Sequence, residues 1–523
     1  MKTCIGVQAG ADGTILRRIL PGQPEPSGGD RLPRPSPETQ QGIGPTKNQV
    51  EVGTANSDLE FLFHPKSIAI VGTPSDPAAN QGAGVFLDAL LEFDYKGHIY
   101  PVNPKISEIR GLKAYPDLMS VPQTPDHVIC CIPASLVPQL IKDCASRGVK
   151  TIAIYTAGFS EAGEEGRELE QELVRLARQG GIRLIGPNCM GIYCPSTCLS
   201  YNPLLSREAG SVGLLCQSGG VSLGLSIMAN FTGICFSKVI SYGNAADLNE
   251  SDFMEYLAQD DETRLIGAYI EGVRDGQRFI ETLTRAAKAK PVAILKGGRT
   301  KAGAKATASH TGSLAGDEER WSAVCRQAGA VQVYSSEEMV DFFEICLHMK
   351  PLKGQRVGII AWGGGPSVLA TDDCESAGLV VPTFSTALCQ EMRSFMFEPG
   401  SSVSNPVDSP VLANPSLLSR AIKTVADSRE VDVLIMRLPF AVARPPFDLE
   451  VTGATLEAII ETSKSIDAAM AVVQPHGDTP ESSGQFLGVQ QRCAEANLSL
   501  FSTTRRAAQA IGRFAQSMSN LEH

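Results

Sequence analysis

The run P-V-A-I-L-K-G-G-R-T-K-A-G-A-K-A-T-A-S-H-T-G-S-L-A-G, residues 291–316, carries fold and chemistry in one stretch. Pro291 to Lys296 reads as a strand, an apolar run stopped by glycine. Gly297 to Lys305 reads as a Gly/Lys-rich loop. Ala308 to Gly316 reads as a second loop, of small residues and hydroxyls around His310. Neutral imidazole is a nucleophile near physiological pH and can carry a phosphoryl group. Ser309, Thr311 and Ser313 offer hydroxyl donors to phosphate oxygens, and the glycines let backbone N–H groups approach. A loop histidine bonded only to a neighbouring carbonyl is the alternative, and the rest of the chain decides between the two.

The same unit, a strand ending in a glycine turn, recurs on both sides of this stretch. Upstream, Val212–Cys216 is a strand candidate, and Gln217-Ser218-Gly219-Gly220 turns from it into a helical run, Val221–Ala229. Such a turn presents free N–H groups to an anion. Leu265–Ile270 is a further strand and ends in Glu271-Gly272; Asp317–Gly329 reads as a helix. Closer to the N-terminus, Ser67–Gly72, Ile99–Val102, His127–Ile132, Thr151–Tyr155 and Arg183–Ile185 alternate with helical patterns at Ser135–Ser146 and Glu161–Gln179. Downstream, Arg356–Ala361 ends in Gly363-Gly364-Gly365-Pro366 and a helix to Ala377. Strands at Val431–Met436 and Ala468–Val473 and a helix at Arg505–Ala515 follow. Strands alternating with helices predict parallel sheets covered on both faces, with ligands at the carboxyl ends of the strands. The expected fold is therefore α/β, in three consecutive parallel-sheet units over residues 57–208, 209–350 and 351–523.

Size and composition agree with that division. At 523 residues the chain suggests roughly three domains. Its 43% hydrophobic content supplies ample core, and its net charge of −11 argues against a nucleic-acid protein. No apolar run reaches the ~18 residues of a membrane span, so no membrane association is expected. The fourteen cysteines are scattered, without the paired C-x-x-C spacing of a zinc site, and read as reduced thiols of a cytoplasmic protein with no metal centre. Residues 1–56 stand apart. From Pro21 to Pro45 twelve of twenty-five residues are Pro or Gly, which predicts a disordered tail. No G-x-G-x-x-G is present, and the P-loop spacing fails because Ala304 stands between Gly303 and Lys305.

Eight motifs carry a resemblance over residues 58–515. They are H-P-K-S-I-A-I-V-G (64–72), G-H-I-Y-P-V-N-P-K (97–105), T-A-G-F-S-E-A-G (156–163), I-G-P-N-C-M-G (185–191), Q-S-G-G-V-S (217–222), G-N-A-A-D-L-N (243–249), S-H-T-G-S-L-A-G (309–316) and S-N-P-V-D (404–408). In this order they resemble the alpha subunit of the nucleoside-diphosphate-forming acyl-CoA synthetases, relatives of succinyl-CoA synthetase, with the ADP-forming acetyl-CoA synthetases nearest. The resemblance implies a Rossmann-like CoA-binding domain followed by two flavodoxin-like domains.

It also implies the chemistry. Phosphate attacks acyl-CoA to give acyl phosphate and free coenzyme A, and a phosphohistidine then passes the phosphoryl group to ADP or GDP. His310 stands where the phosphorylated histidine belongs, and Glu271 matches the glutamate that steadies it. Ser218, Gly219 and Gly220 would form one helix N-terminus facing the phosphate, and Thr311 and Gly312 would begin the second. Gly72, Thr73, Asn103, Lys105, Ile132, Pro133 and Asn188 match CoA-binding positions. Two departures stand out: a longer loop after Gly72, and Trp362-Gly363 where relatives often carry Asn-Ala. An ATP-grasp unit is not among the three expected here. The resemblance therefore implies a separate ATP-grasp beta-type partner in a heterotetramer, bringing Mg2+ and ADP/ATP. A non-catalytic acyl-CoA-binding metabolite sensor is the alternative, and an intact His310 and Glu271 weigh against it.

Overall fold

The apolar runs that stop at glycine form the strands of three sheets in the computed structural model, which describes residues 59–76, 82–311, 318–396, 399–439, 449–475 and 480–521. The expected disordered tail, residues 1–56, lies outside these. The first sheet comprises β1 (Ser67–Val71), β2 (His98–Val102), β5 (His127–Cys130), β6 (Thr151–Ile154) and β7 (Arg183–Ile185). A short hairpin of β3 (Glu108–Ile109) and β4 (Leu112–Lys113) stands beside it. The strand order is β2-β1-β5-β6-β7, and every pair is parallel.

The second sheet comprises β8 (Gly191–Tyr193), β9 (Val212–Cys216), β10 (Phe236–Ser241), β11 (Leu265–Ile270), β12 (Val292–Lys296) and β13 (Val331–Val333). Its order is β13-β12-β11-β9-β10-β8, parallel except for the edge strand β8. The third comprises β14 (Val357–Ala361), β15 (Val407–Asp408), β16 (Val433–Arg437), β17 (Ala469–Val473) and β18 (Ser499–Phe501), ordered β15-β14-β16-β17-β18 and wholly parallel. Each sheet reverses its winding once: between β1 and β5, between β9 and β11, and between β14 and β16. At such a reversal the connections on either side leave in opposite directions and open a crevice beyond the carboxyl ends.

The core explains why the strands read as continuous apolar runs. One cluster of buried side chains runs from Leu62 and Phe63 through Phe86 and Tyr193 to Phe253 and Phe343 and so joins the first two sheets. Helix Ser336–His348 continues the joint toward the third sheet. Asp341 pairs with Arg506 at 2.7 Å and Glu338 with Arg513 at 2.8 Å, both on helix Thr504–Leu521.

Several features differ from the sequence expectation. Residues 301–305 are not loop: the helix Lys301–Thr311 begins inside the Gly/Lys-rich stretch. Ala302, Ala304, Ala306 and Ala308 are strong helix formers and outweigh the single Gly303. Thr300 Oγ1 accepts from Gly303 N at 3.0 Å and satisfies one first-turn N–H. Thr311 therefore lies within a helix and does not open one; the next described helix is Glu318–Ala328, and Gly312 lies outside the described residues. Finally, β8 and β10 were not expected, nor were the short strands β3, β4, β13, β15 and β18. F-S-K-V-I-S alternates too little to signal a strand, yet it is buried throughout.

Lys238 is the reason that strand is hidden. Its Nζ lies 2.9 Å from both Asp260 carboxylate oxygens and 2.7 Å from Glu262 Oε2, with the amine 5.7 Å from the Phe63 ring centre. Its side chain is 1% exposed and that of Asp260 8%. Removing one partner of such a pair strands the other charge in the interior. Lys238→Ala is expected to lower unfolding stability by about 3 kcal/mol, read from the denaturant midpoint; a loss below about 1 kcal/mol would mark the pair as solvated.

Candidate active site at the carboxyl ends of the first two sheets

The reversal in the first sheet opens a groove of about 400 Å³ lined by Gly72, Thr73, Asn103, Ile132 and Pro133, with Leu136, Asp117 and Asp143 on its sides. Glycine is required at 72: φ is +98°, and a Cβ there would lie 2.8 Å from the Cys131 carbonyl oxygen. Thr73 and Asn103 hold the loops in place. Thr73 Oγ1 donates to Val102 O at 3.3 Å. Asn103 Nδ2 donates to Thr73 O, while its Oδ1 accepts from Lys105 N at 2.8 Å. Five of the seven expected CoA positions thus meet in one groove. Lys105 is exposed and does not line it.

Ile132 and Pro133 also line a second cleft, of about 570 Å³, that continues to the second sheet. Here they meet Asn188, Tyr155, Met190 and the turn Ser218-Gly219-Gly220. Asn188 sits at φ +58°, a conformation that asparagine tolerates better than most residues. Ser218 is the N-cap of helix Gly219–Phe231, its Oγ accepting from Val221 N at 3.4 Å. The first N–H groups of a helix have no carbonyl one turn earlier, so that end attracts an anion. Cys131 lines both cavities too, but burial pushes its thiol well up and leaves it a poor nucleophile.

At the reversal of the second sheet three strand ends are tied together. Gln217, just after β9, accepts with Oε1 from Glu271 N at 2.7 Å and from Gly272 N at 3.0 Å. Lys296, the last residue of β12, donates to Glu271 O at 2.8 Å and to Gly297 O. Tyr269 Oη donates to Glu271 Oε1 at 3.0 Å. Glu271 is only 4% exposed, so side chains from both neighbouring strands fix the residue expected to steady the histidine. Backbone places His310 within helix Lys301–Thr311. Gln217 and Lys296 were given no role in the sequence reading, although each stands at the carboxyl end of a strand.

Comparison with known proteins agrees with this geometry. Residues 66–195 match the CoA binding domain family, and residues 209–346 the succinyl-CoA ligase like flavodoxin domain. The alpha subunit of the ADP-forming acetate–CoA ligase II of Pyrococcus furiosus is 39% identical over 377 residues, covering 72% of this chain and 81% of that one. The ADP-forming acetate–CoA ligase I of Archaeoglobus fulgidus is 38% identical over 380 residues; the match covers 72% of this chain and 54% of that protein, so the chain spans about half its length. Among solved structures, the dinucleotide forming acetyl-coenzyme A synthetase 1 of Ca. Korarchaeum cryptofilum, in complex with phosphate and ADP, superposes with a TM-score of 0.77 at 30% identity. That match covers 89% of this chain and 98% of the other. The chain belongs to the family of nucleoside-diphosphate-forming acyl-CoA synthetases. Among the described residues no helix is long and apolar enough to cross a membrane.

Lys296 makes the buried tie testable by pH. Desolvation pushes its ammonium down from 10.5 to about 8, against the favourable fields of Glu271 and Glu318. The folded chain therefore releases this proton before the unfolded chain does. Between about pH 8 and 10.5 the unfolded state binds more protons, and this group's contribution to stability rises with pH. The difference in unfolding free energy between the parent and Lys296→Met is expected to shift in the parent's favour across that window. A difference that stays flat from pH 8 to 10 would mean the amine is solvated.

Proposed function

We propose that this chain is the alpha-type subunit of an ADP-forming acyl-CoA synthetase. The observation that carries the proposal is the continuity of the two cavities: Ile132 and Pro133 belong to both, so a ligand seated over the first sheet's reversal reaches the Ser218-Gly219-Gly220 helix end. Coenzyme A would occupy the groove with its pantetheine arm passing Ile132, Pro133 and Asn188. Phosphate would sit at the N-terminus of helix Gly219–Phe231. Its oxygen attacks the thioester carbonyl, the C–S bond breaks, and coenzyme A leaves as thiolate. The imidazole of His310 then attacks phosphorus, and the acyl oxygen leaves with the P–O bond electrons as a carboxylate. Glu271 holds the imidazole's other N–H and favours the charged ring that forms.

The phosphoryl group passes from His310 to ADP on an ATP-grasp beta-type partner, in a heterotetramer, with Mg2+ shielding the phosphates there. Thr311 and Gly312 would contact the phosphoryl group beside His310, and Lys105 would meet the exposed end of coenzyme A. The division into domains at 57–208, 209–350 and 351–523 and a cytoplasmic location belong to the same proposal.

The test is labelling. With isotopic phosphate and acyl-CoA, or with acyl phosphate, the chain is expected to take up an acid-labile, base-stable label that His310→Ala abolishes without unfolding. Equal labelling of the alanine variant would sink the mechanism. Glu271→Gln is expected to cut turnover by ~10²-fold while leaving CoA affinity within about twofold; unchanged turnover would remove Glu271 from the chemistry. The chain alone is expected to bind coenzyme A but to make no ATP until the ATP-grasp subunit and magnesium are added. ATP synthesis without that subunit would refute the split-enzyme proposal, and CoA binding without labelling would leave the metabolite sensor.

A further inference from the structure

The acyl group has to lie where the cleft passes from its CoA side to its phosphate side, because the thioester carbon must meet both reactants. Met190 stands at that passage. It lines the cleft, and a Cβ on Gly219 would lie 2.7 Å from Met190 Cγ and 3.5 Å from Sδ. The thioether therefore lies directly across the first turn of helix Gly219–Phe231. Its backbone is fixed: Met190 N donates to Ser241 Oγ at 3.0 Å, Cys189 before it is buried, and Gly191 after it opens β8. The side chain thus fills part of the passage from a rigid mount, with only its own rotamers free. Tyr155, 38% exposed, faces the same cleft and rests edge-on against Phe86.

We propose that Met190 is the specificity-determining residue for the acyl group, setting how much chain fits between the thioester and the helix end. The proposal rests on the acyl-CoA synthetase function argued above. Among the described residues that line the cleft none is charged. An acyl group ending in a second carboxylate would meet no charged side chain there, and the helix end that could receive an anion is taken by the phosphate. The site suits acyl groups that are uncharged beyond the carbonyl, and Met190 decides between short ones and bulky ones.

The test uses the chain's own half-reaction, phosphohistidine formation from isotopic phosphate, with acetyl-, isobutyryl-, phenylacetyl- and succinyl-CoA. Rates are compared as ratios within each variant, so a partly folded preparation cancels. Met190→Ala is expected to raise the phenylacetyl-to-acetyl ratio by about tenfold or more, the discrimination typical of a few methylenes in an apolar pocket. Met190→Leu, close in volume, is expected to stay within about threefold of the parent ratio. Succinyl-CoA is expected to be the poorest donor throughout. If the parent labels but Met190→Ala leaves the ratio unmoved, Met190 is not the determinant and the function stands. Succinyl-CoA labelling as fast as acetyl-CoA would overturn the uncharged subsite. A parent that labels from none of the four thioesters overturns the synthetase function, and this proposal with it.

Discussion

One amide oxygen, Oε1 of Gln217, closes the carboxyl edge of the second sheet. Just past β9 and β11 the connections diverge, and no strand remains to receive the N–H groups of Glu271 and Gly272. Gln217 accepts both, at 2.7 and 3.0 Å. Each buried N–H left unpaired would cost about 1–3 kcal/mol, so the Glu271 backbone has one comfortable position. Lys296 grips the same residue from the other side through its carbonyl. The Glu271 residue is thus placed by the sheet itself, and the helix that follows Ser218 starts from the same fixed corner.

The third sheet solves the same problem with different residues. Asn405 of S-N-P-V-D accepts from Ile359 N at 3.0 Å and donates to Val357 O at 2.7 Å and Pro382 O at 3.0 Å. Asp408, at the end of β15, accepts from Gly363 N at 2.6 Å and so holds the glycine turn that opens helix Gly364–Ser376. Where relatives often have Asn-Ala, Trp362 is buried beneath that turn. The motif's side chains complete the edge of β14 that the short β15 leaves open and fix the turn that follows it.

Much of this was legible in the sequence because the strands of a doubly covered sheet are apolar throughout. Val212–Cys216, Leu265–Ile270 and Arg183–Ile185 match their expected bounds. What stayed hidden was polar residues doing interior work. Ser237 and Lys238 disguise β10, and Lys238 is tolerable there only because Asp260 and Glu262 meet it, a tertiary fact no local pattern carries. The helix Lys301–Thr311 was obscured by weighting Gly303 above four alanines. At the site, the groove residues Gly72, Thr73, Asn103, Ile132 and Pro133 could be named in advance because each follows a strand. Met190 could not, since its importance comes from Gly219, a residue that meets it only across the fold.

The edge strand β8 has a consequence for how the two walls of the cleft are held. Residues 186–190 leave β7 of the first sheet and run straight into β8 of the second. Alongside them, Asn244 N donates to Pro187 O, Ala246 N to Gly186 O and Leu248 N to Leu184 O, at 3.0, 3.0 and 3.2 Å. Both ends of the tether are stitched down, and so is its middle. The two walls of the cleft are joined through this hydrogen-bonded strap, as the two ends of one ruler are. In the reaction proposed above, such a ruler would gauge a thioester by its span, bringing carbonyl and phosphate into register.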